Sequence, residues 1–215
     1  MLFRSYLADF HSGEILEHTQ FIDKTVIDSM LDLAKINKIE PFIYTFGNQH
    51  QVYYRKVLNT GSTAYLNSLK KDDRVKQVSE FVFQEDENIS GFLLIGTLEN
   101  LNPIYHKLKE NHFDHLNVYF AEDVSMKGYY WLQSFHQRAN KGNMLEKLAE
   151  RLNISLNKTL VFGDYLNDLD MFRVARYSVA MENALPEVKE SANKIIGHNS
   201  QGAVLDFLES IWENS

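Results

Sequence analysis

Short apolar runs alternate with amphipathic helical segments from Asn140 onward, and this alternation constrains the fold more than any other feature of the sequence. The runs have the pattern of strands buried on both faces, while the segments between them repeat apolar residues at helical spacing. The predicted strands are 159–162, 177–181 and a weaker 194–196, and the predicted helices are 140–152, 166–175, one that Asn183 caps and one that follows Gly202. Helices that alternate with strands at this pitch predict parallel strands joined by helical crossovers.

The preceding part of the chain has a different pattern. Residues 6–10 and 14–16 flank His11-Ser12-Gly13 and predict a hairpin, and a polar edge strand is predicted around residues 53–56. Further strands are predicted at 41–46, 80–84, 92–96, 117–121 and 129–135, and helices at 24–38 and 103–110. Many strands with few helical crossovers predict an open α+β sheet, distinct from the parallel-sheet part.

Composition excludes several classes of function. Lys and Arg total 22 against 29 Asp and Glu, which gives a net charge of −7 and makes nucleic acid and anionic membrane surfaces poor partners. The absence of cysteine excludes disulfides, thiolate metal sites and cysteine nucleophiles. No apolar run approaches the roughly 18 residues of a membrane-spanning helix, and the first residues do not have a signal-peptide pattern. We therefore expect a cytoplasmic protein.

The segment Thr159–Asp168 carries the most informative polar residues. A buried strand ends there, Gly163 allows a tight turn, and Asp164 and Asp168 follow at the carboxyl end of the strand, where open α/β sheets bind ligands. Two carboxylates four residues apart can face one point and suit Mg²⁺, which takes few protein ligands and completes its shell with water and phosphate. Alternatively, Asp164 and Asn167 cap the next helix.

Lys141 adds a cation to this region of the sequence. It lies in the first turn of a predicted helix, where the helix dipole disfavours positive charge. Beside Asp164 it would be an anchor for a phosphate group, because the lysine and a metal ion could neutralise ester oxygens from opposite sides. A solvated lysine is the alternative interpretation.

Four motifs resemble those of the haloacid dehalogenase superfamily, in particular its Cof-type (subclass IIB) phosphatases. They are Asn140-Lys-Gly142, Gly163-Asp-Tyr-Leu-Asn-Asp168, Val179-Ala-Met-Glu-Asn-Ala184 and Asn199-Ser-Gln-Gly-Ala-Val204. The resemblance implies an α/β fold with a Rossmann-like parallel-sheet core, incomplete at its N-terminus, and an inserted α+β cap. The change of pattern along the chain, near residues 17–20 and 133–140, places the boundaries at 1–18 with 134–215 for the core and 19–133 for the cap. The implied activity is Mg²⁺-dependent hydrolysis of small phosphorylated metabolites such as sugar phosphates.

The resemblance also implies a role for each matching residue. Asp164 would coordinate Mg²⁺, and Asp168 would support either the metal or Lys141. Lys141 would be the catalytic cation and, with Asn167, would contact the transferred phosphoryl group. Gly163 would permit close approach of the backbone.

The family's nucleophile motif is not found in this sequence. Members attack phosphorus with an aspartate of an early Asp-x-Asp-x-Thr motif, whereas Asp9 is followed by Phe10 and His11. We therefore expect negligible phosphatase activity from residues 1–215 alone, and the alternative is a non-catalytic protein that binds or senses phosphorylated metabolites. An incomplete core also predicts self-association through its uncovered face, or stabilisation by a further segment.

A histidine-rich metal site is a rival interpretation. His106, His112 and His115 are close in sequence, but no cysteine or clear carboxylate completes a tetrahedral set. Surface histidines between a helix and a strand explain them better. The aromatic residues of 129–135 are likewise expected to be structural.

Overall fold

The structure, a computed structural model, describes residues 6–9, 11–12, 14–47, 50–85 and 87–213. Its elements follow in chain order. The strands are β1 (Tyr6–Ala8), β2 (Ile15–His18), β3 (Phe42–Phe46), β4 (Val52–Tyr54), β5 (Val75–Gln77), β6 (Asn88–Thr97), β7 (Leu116–Glu122), β8 (Tyr129–His136), β9 (Leu160–Gly163), β10 (Tyr177–Met181) and β11 (Lys194–Ile196). The helices are α1 (Lys24–Ile36), α2 (Thr60–Ser68), α3 (Leu98–His112), α4 (Lys141–Arg151), α5 (Leu169–Val174), α6 (Pro186–Glu190) and α7 (Ala203–Trp212).

The chain divides into two compact units. One, here called the core unit, combines Met1–His18 with Asn140–Ser215, and the other, here called the inserted unit, is Thr19–Ala139. The chain passes from the inserted unit back to the core unit after Ala139, beyond the end of β8. The boundary predicted from the sequence, at residue 134, lies within β8.

The core unit contains a three-stranded parallel sheet in the order β11-β10-β9. Helices α4, α5 and α6 follow or precede these strands as crossovers, as the alternating pattern predicts. Buried apolar residues of the helices and strands form one cluster: Leu145, Val161, Leu169, Met171, Phe172, Ala180, Ala184 and Val188. The antiparallel pairing of the predicted hairpin is confirmed for β1 and β2, while residues 10 and 13 of the predicted hairpin lie outside the described residues. The core is thus an α/β fold of the Rossmann-like type.

The inserted unit contains a six-stranded sheet in the order β5-β4-β3-β6-β8-β7, antiparallel except between β4 and β5. Helices α1 and α3 supply apolar residues to a cluster that includes Phe92 and Leu132 of the sheet. Alternate residues of the strands, among them Phe42, Leu93 and Trp131, pack with residues of α2 in a second cluster. The sheet is therefore covered by helices on both faces, which is an α+β arrangement.

Two local predictions for the inserted unit are wrong. Residues 80–84 do not form a strand: Phe81 and Phe83 pack against the apolar cluster from an irregular segment, with their rings nearly parallel. The strand around residues 53–56 is not an edge strand, because β5 pairs with β4 on its outer side. Both segments are determined by contacts with residues distant in sequence, namely the apolar cluster for residues 80–84 and strand β5 for β4. A local sequence pattern does not reveal such contacts.

Among the residues that the structure describes, no helix has the length and apolar character that crossing a membrane requires.

Candidate functional site

A tight turn at the carboxyl end of β9 brings the predicted site residues together. Gly163 ends the strand, and Leu166–Asp168 forms one turn of 3-10 helix before α5. A Cβ atom on Gly163 would lie 2.4 Å from Cβ of Asp168 and 2.9 Å from Cε1 of Phe172. Glycine is therefore required because the following turn folds back onto the strand end.

Asp168 closes this turn with its side chain. Its Oδ2 accepts hydrogen bonds from the backbone amides of Asp164, at 3.0 Å, and of Tyr165, at 3.2 Å. An acidic residue that reaches back to the amides at the start of a helix is the geometry of a capping box. The capping alternative for this segment named Asp164 and Asn167, whereas the acceptor for these two amides is Asp168.

Lys141 reaches the same carboxylate from α4. Asn140 begins this helix, since its side chain accepts a hydrogen bond from the amide of Asn143. The absence of a side chain at Gly142 lets the first turn of α4 approach the backbone of Asp170, where a Cβ would lie 2.5 Å from the carbonyl oxygen. The Nζ of Lys141 then donates a 2.5 Å hydrogen bond to Oδ1 of Asp168.

The lysine–aspartate pair is largely shielded from water. The side chain of Asp168 is 5% exposed and that of Lys141 is 27% exposed. Both carboxylate oxygens of Asp168 accept hydrogen bonds, one from the lysine and the other from backbone amides. The resemblance allowed two roles for Asp168, as a metal ligand or as the partner that orients Lys141. These contacts favour the second role.

Asp164 contacts residues of two other loops through its carboxylate. Its Oδ2 accepts hydrogen bonds from the side-chain Nδ2 of Asn199, at 3.3 Å, and from that of Asn183, at 3.5 Å. Asn183 also accepts a hydrogen bond from the backbone amide of Asn199, which holds the loops after β10 and β11 together. Asn183 does not cap α6, whose first residue is Pro186 and whose cap position is Leu185. The motifs contained both asparagines, but only the fold shows that they meet at Asp164.

Asn167 lies in the same 3-10 turn and is 9% exposed. In the sequence, Asn167 lies between Asp164 and Asp168. Its contact with a phosphoryl group stays a prediction.

A second ion pair fixes α4 within the core unit. Lys147 of α4 donates to Glu17 of β2, and this hydrogen bond lowers the pKa of Glu17. Lys147 lies on the same helix as Lys141, but among the described residues it pairs with Glu17 and not with Asp164 or Asp168. Lys147 is therefore a matched control for Lys141, because it lies on the same helix but outside the candidate site.

The oxygen donors around Asp164 fit Mg²⁺ in part. Within the described ranges, no three His, Cys, Asp or Glu side chains are grouped so as to hold a metal ion. Mg²⁺ is nevertheless commonly bound through one or two carboxylates, with water and substrate phosphate as the other ligands. Asp164 supplies one such carboxylate. His106, His112 and His115 do not form such a group among the described residues, and His112 makes a hydrogen bond with Ser29.

Comparisons with known proteins identify the family of this chain. Residues 5–208 match the family of haloacid dehalogenase-like hydrolases. The HMP-PP phosphatase of Serratia proteamaculans is 33% identical over 40% of this chain and 32% of its own length. The 5-amino-6-(5-phospho-D-ribitylamino)uracil phosphatase YwtE of Bacillus subtilis is 33% identical over 61% of this chain and 44% of its own length. The chain thus spans less than half the length of these curated relatives.

Solved structures share the fold. A haloacid dehalogenase-like hydrolase from B. subtilis superposes with a TM-score of 0.76 at 20% identity, covering 95% of this chain and 76% of that protein. One from Bacteroides thetaiotaomicron has a TM-score of 0.73 at 22% identity, covering 96% and 73%. The motifs, the parallel core sheet and the match over residues 5–208 lead to one conclusion: this chain belongs to the haloacid dehalogenase-like hydrolase family.

Proposed function

We propose that this chain carries the metal- and phosphate-holding part of an Mg²⁺-dependent phosphatase for small phosphorylated metabolites. The observation that carries the proposal is the 2.5 Å contact between Lys141 and Asp168, whose other oxygen holds the backbone amide of Asp164. One carboxylate thus fixes both the cation and the turn that bears the candidate metal ligand.

Each residue has a task that follows from its contacts. Asp168 orients Lys141 and keeps its ammonium group next to the turn, so the lysine can meet the negative charge of a phosphate ester. Asp164 would hold Mg²⁺, and the amides of Asn183 and Asn199 would restrict the rotamer of its carboxylate. When bound, Mg²⁺ would neutralise charge on the phosphoryl oxygens. Gly163 lets the turn that bears Asp168 pack closely against the strand end, and Asn167 would add a polar contact.

The names of two relatives support the substrate class. They are phosphatases of HMP-PP and of 5-amino-6-(5-phospho-D-ribitylamino)uracil, and the second name describes a small phosphorylated compound. The net charge of −7 also disfavours polyanions such as nucleic acids as substrates. We therefore place the substrate of this chain among small phosphorylated metabolites.

Turnover would require an aspartate nucleophile that the family pattern places in an Asp-x-Asp-x-Thr motif. Covalent catalysis cannot proceed without such a group. We propose that residues 1–215 alone bind phosphate with Mg²⁺ but have negligible phosphatase activity. The second candidate, a non-catalytic protein that binds phosphorylated metabolites, rests on the same contacts.

The test compares hydrolysis of p-nitrophenyl phosphate by this chain and by a version extended at its N-terminus with the motif, each with Mg²⁺ and with chelator. We expect turnover only from the extended version with Mg²⁺. In that version Asp164→Ala should abolish turnover, and Lys141→Ala should reduce it by about 100-fold or more, the usual cost of removing one preorganised charge or donor.

Lys147→Ala is the matched control, because Lys147 lies on α4 but binds Glu17. It should leave turnover close to that of the parent. Near-normal turnover of Asp164→Ala or Lys141→Ala would refute the assignment. Phosphate binding without turnover by the extended version would favour the non-catalytic candidate.

A further inference from the structure

A cleft of about 750 Å³ opens at one end of the inserted unit. It lies beside the start of β3 and the end of β4, where Glu40 precedes one strand and Arg55 follows the other. Ile22 bridges Ile89 at the opposite end of the same sheet, close to Thr19, where the chain enters the unit. The cleft is therefore built entirely from residues of the inserted unit, at the end of its sheet away from the point of entry.

Cations outnumber carboxylates in the lining of this cleft. Lys35, Arg55 and Lys56 line it together with one acidic residue, Glu40. Three positive charges and one negative charge leave an excess of two positive charges, although the chain as a whole has a net charge of −7. Like charges held together repel each other unless an anion lies between them. The local field of the cleft therefore attracts small anions.

The side chain of Arg55 is held in a fixed position. Its Nε and Nη2 donate to the two carboxylate oxygens of Glu40, at 2.9 and 3.2 Å, and the Glu40 side chain is only 10% exposed. The guanidinium carbon also lies 5.0 Å from the ring centre of Phe81. A guanidinium group has five N–H donors. Among the described residues Glu40 accepts from two of them, which leaves the others for an oxyanion in the cleft.

Lys56 converges on the same carboxylate although it follows Arg55 directly in the sequence. Successive side chains of an extended strand point to opposite faces, but β4 ends at Tyr54 and the chain bends at Arg55. The Nζ of Lys56 lies 3.9 Å from Oε1 of Glu40, and the lysine side chain is 63% exposed. One carboxylate thus lies between two cations and balances the charge of only one of them.

Lys35 lies in the last turn of α1, where a lysine commonly serves to stabilise the end of the helix. The end of α1 has its hydrogen bonds without this side chain. Backbone amides that follow the helix donate to the carbonyls of Leu33, Ala34 and Lys35. The side chain of Lys35 lines the cleft instead and adds its charge to those of the two other cations.

We propose that this cleft is a binding site for a small dianion that carries a phosphate group or two carboxylates. Arg55 offers a planar set of N–H donors to one oxyanion group, and Lys35 and Lys56 neutralise its charge. Ser79 also lines the cleft and adds a hydroxyl donor. Two negative charges balance the excess charge of the lining. The proposal does not depend on the proposed phosphatase function, because the residues that carry it belong to the inserted unit.

The test is a nuclear magnetic resonance titration of the isotope-labelled 215-residue chain at constant ionic strength, with chelator in place of Mg²⁺. The probes are inorganic phosphate at mildly alkaline pH, where it is a dianion, succinate, and chloride as the monoanion control. We expect saturable shifts of the amides of Lys56, Gln77 and Ser79 with at least one dianion, and no saturable shift with chloride. Tighter binding of phosphate would identify the ligand class as phosphates, and tighter binding of succinate would identify it as dicarboxylates.

Two double variants separate the cleft from the general charge of the protein. Lys35→Gln with Lys56→Gln leaves the ion pair of Glu40 intact and should weaken binding of the dianion at least about tenfold. Lys70→Gln with Lys71→Gln removes the same charge from exposed residues after α2 that do not line the cleft. This control should change the affinity by less than about twofold, because salt screens exposed charges.

A single variant tests the geometry of the guanidinium group. Arg55→Lys keeps a cation beside the buried carboxylate of Glu40 but removes the planar set of donors, and it should also weaken binding about tenfold. Urea unfolding of each variant establishes that it is folded before its affinity is compared.

The proposal is overturned if neither dianion produces saturable shifts at Lys56, Gln77 and Ser79, if chloride produces the same shifts, or if the two double variants weaken binding equally. Asp164→Ala should bind the dianion as the parent chain does, because Asp164 belongs to the core unit and no Mg²⁺ is present. Failure of the phosphatase assignment would leave these shifts in place, and loss of these shifts would leave that assignment untouched.

Discussion

The pairing of Lys141 with Asp168 leads to a quantitative prediction about stability. The perturbations are Lys141→Met, which leaves the carboxylate without its cation, and Asp168→Asn, which keeps an oxygen that can accept from the amides of Asp164 and Tyr165. The double variant completes a thermodynamic cycle. It isolates the energy of the pair from the effects of each substitution by itself.

The expected magnitude follows from burial and contact geometry. Removing one partner of a fully buried ion pair costs about 3–5 kcal/mol, and a net hydrogen bond to a charged group contributes about 1.5–3 kcal/mol. Asp168 is 5% exposed, but Lys141 is 27% exposed and regains some hydration when its partner is removed. We therefore expect a coupling energy of about 1–3 kcal/mol.

The assay is equilibrium urea unfolding followed by far-ultraviolet circular dichroism, together with hydrogen exchange. In Asp168→Ala, which removes both acceptors, the amides of Asp164 and Tyr165 should exchange faster than in Asp168→Asn. A coupling energy within about 0.3–0.5 kcal/mol of zero, the usual limit of additivity, would refute the argument that the pair holds the site.

Three further predictions concern the surroundings of the site and the inserted unit. Gly163→Ala should lower the unfolding free energy by about 1–3 kcal/mol in urea titrations, because its Cβ would lie 2.4 Å from a neighbouring Cβ; an unchanged stability would contradict that contact. Asn59→Ala should cost about 0.5–2 kcal/mol, since Asn59 caps α2, whereas Asp23→Ala should cost less, because Asp23 makes no side-chain cap bond with α1; thermal unfolding of both compares them. Burial alone would raise the pKa of Asp123, but hydrogen bonds from a serine, two backbone amides and the Trp131 indole lower it. The stabilisation from Asp123 should therefore be complete above the unfolded pKa of about 3.9, and it should be lost as pH falls through the lower pKa of the folded state. Measurements of the unfolding free energy against pH should show this loss in the parent chain but not in Asp123→Asn.

The core unit could be predicted closely because its signals are local. Buried parallel strands are short and continuously apolar, and helix α4 repeats Met144, Leu145 and Leu148 at helical spacing. The turn after β9 carried its acidic residues in a motif of a few positions. The motif does not show which carboxylate oxygen accepts from which donor. The spacing of Asp164 and Asp168 therefore could not predict that Asp168 accepts from both Lys141 and the backbone amide of Asp164.

The inserted unit was less predictable for physical reasons. Helix α2 has the sequence Thr-Gly-Ser-Thr-Ala-Tyr-Leu-Asn-Ser, which lacks an apolar period, and its start depends on reciprocal bonds between Asn59 and Ser62. Strand β5 is only three residues long, Val75–Gln77, and pairs with β4 across the whole of α2. Such pairing depends on contacts far apart in sequence, which local propensity does not encode.

The most direct test of the proposed phosphate site is a nuclear magnetic resonance titration of the isotope-labelled 215-residue chain with inorganic phosphate, in the presence and absence of Mg²⁺. We expect the largest shifts on the amides of Gly163, Asp164 and the first turn of α4. These shifts should need Mg²⁺ for full amplitude, and Asp164→Ala should remove their dependence on Mg²⁺. Shifts confined to other surfaces, or the same shifts in Asp164→Ala with and without the metal, would contradict it.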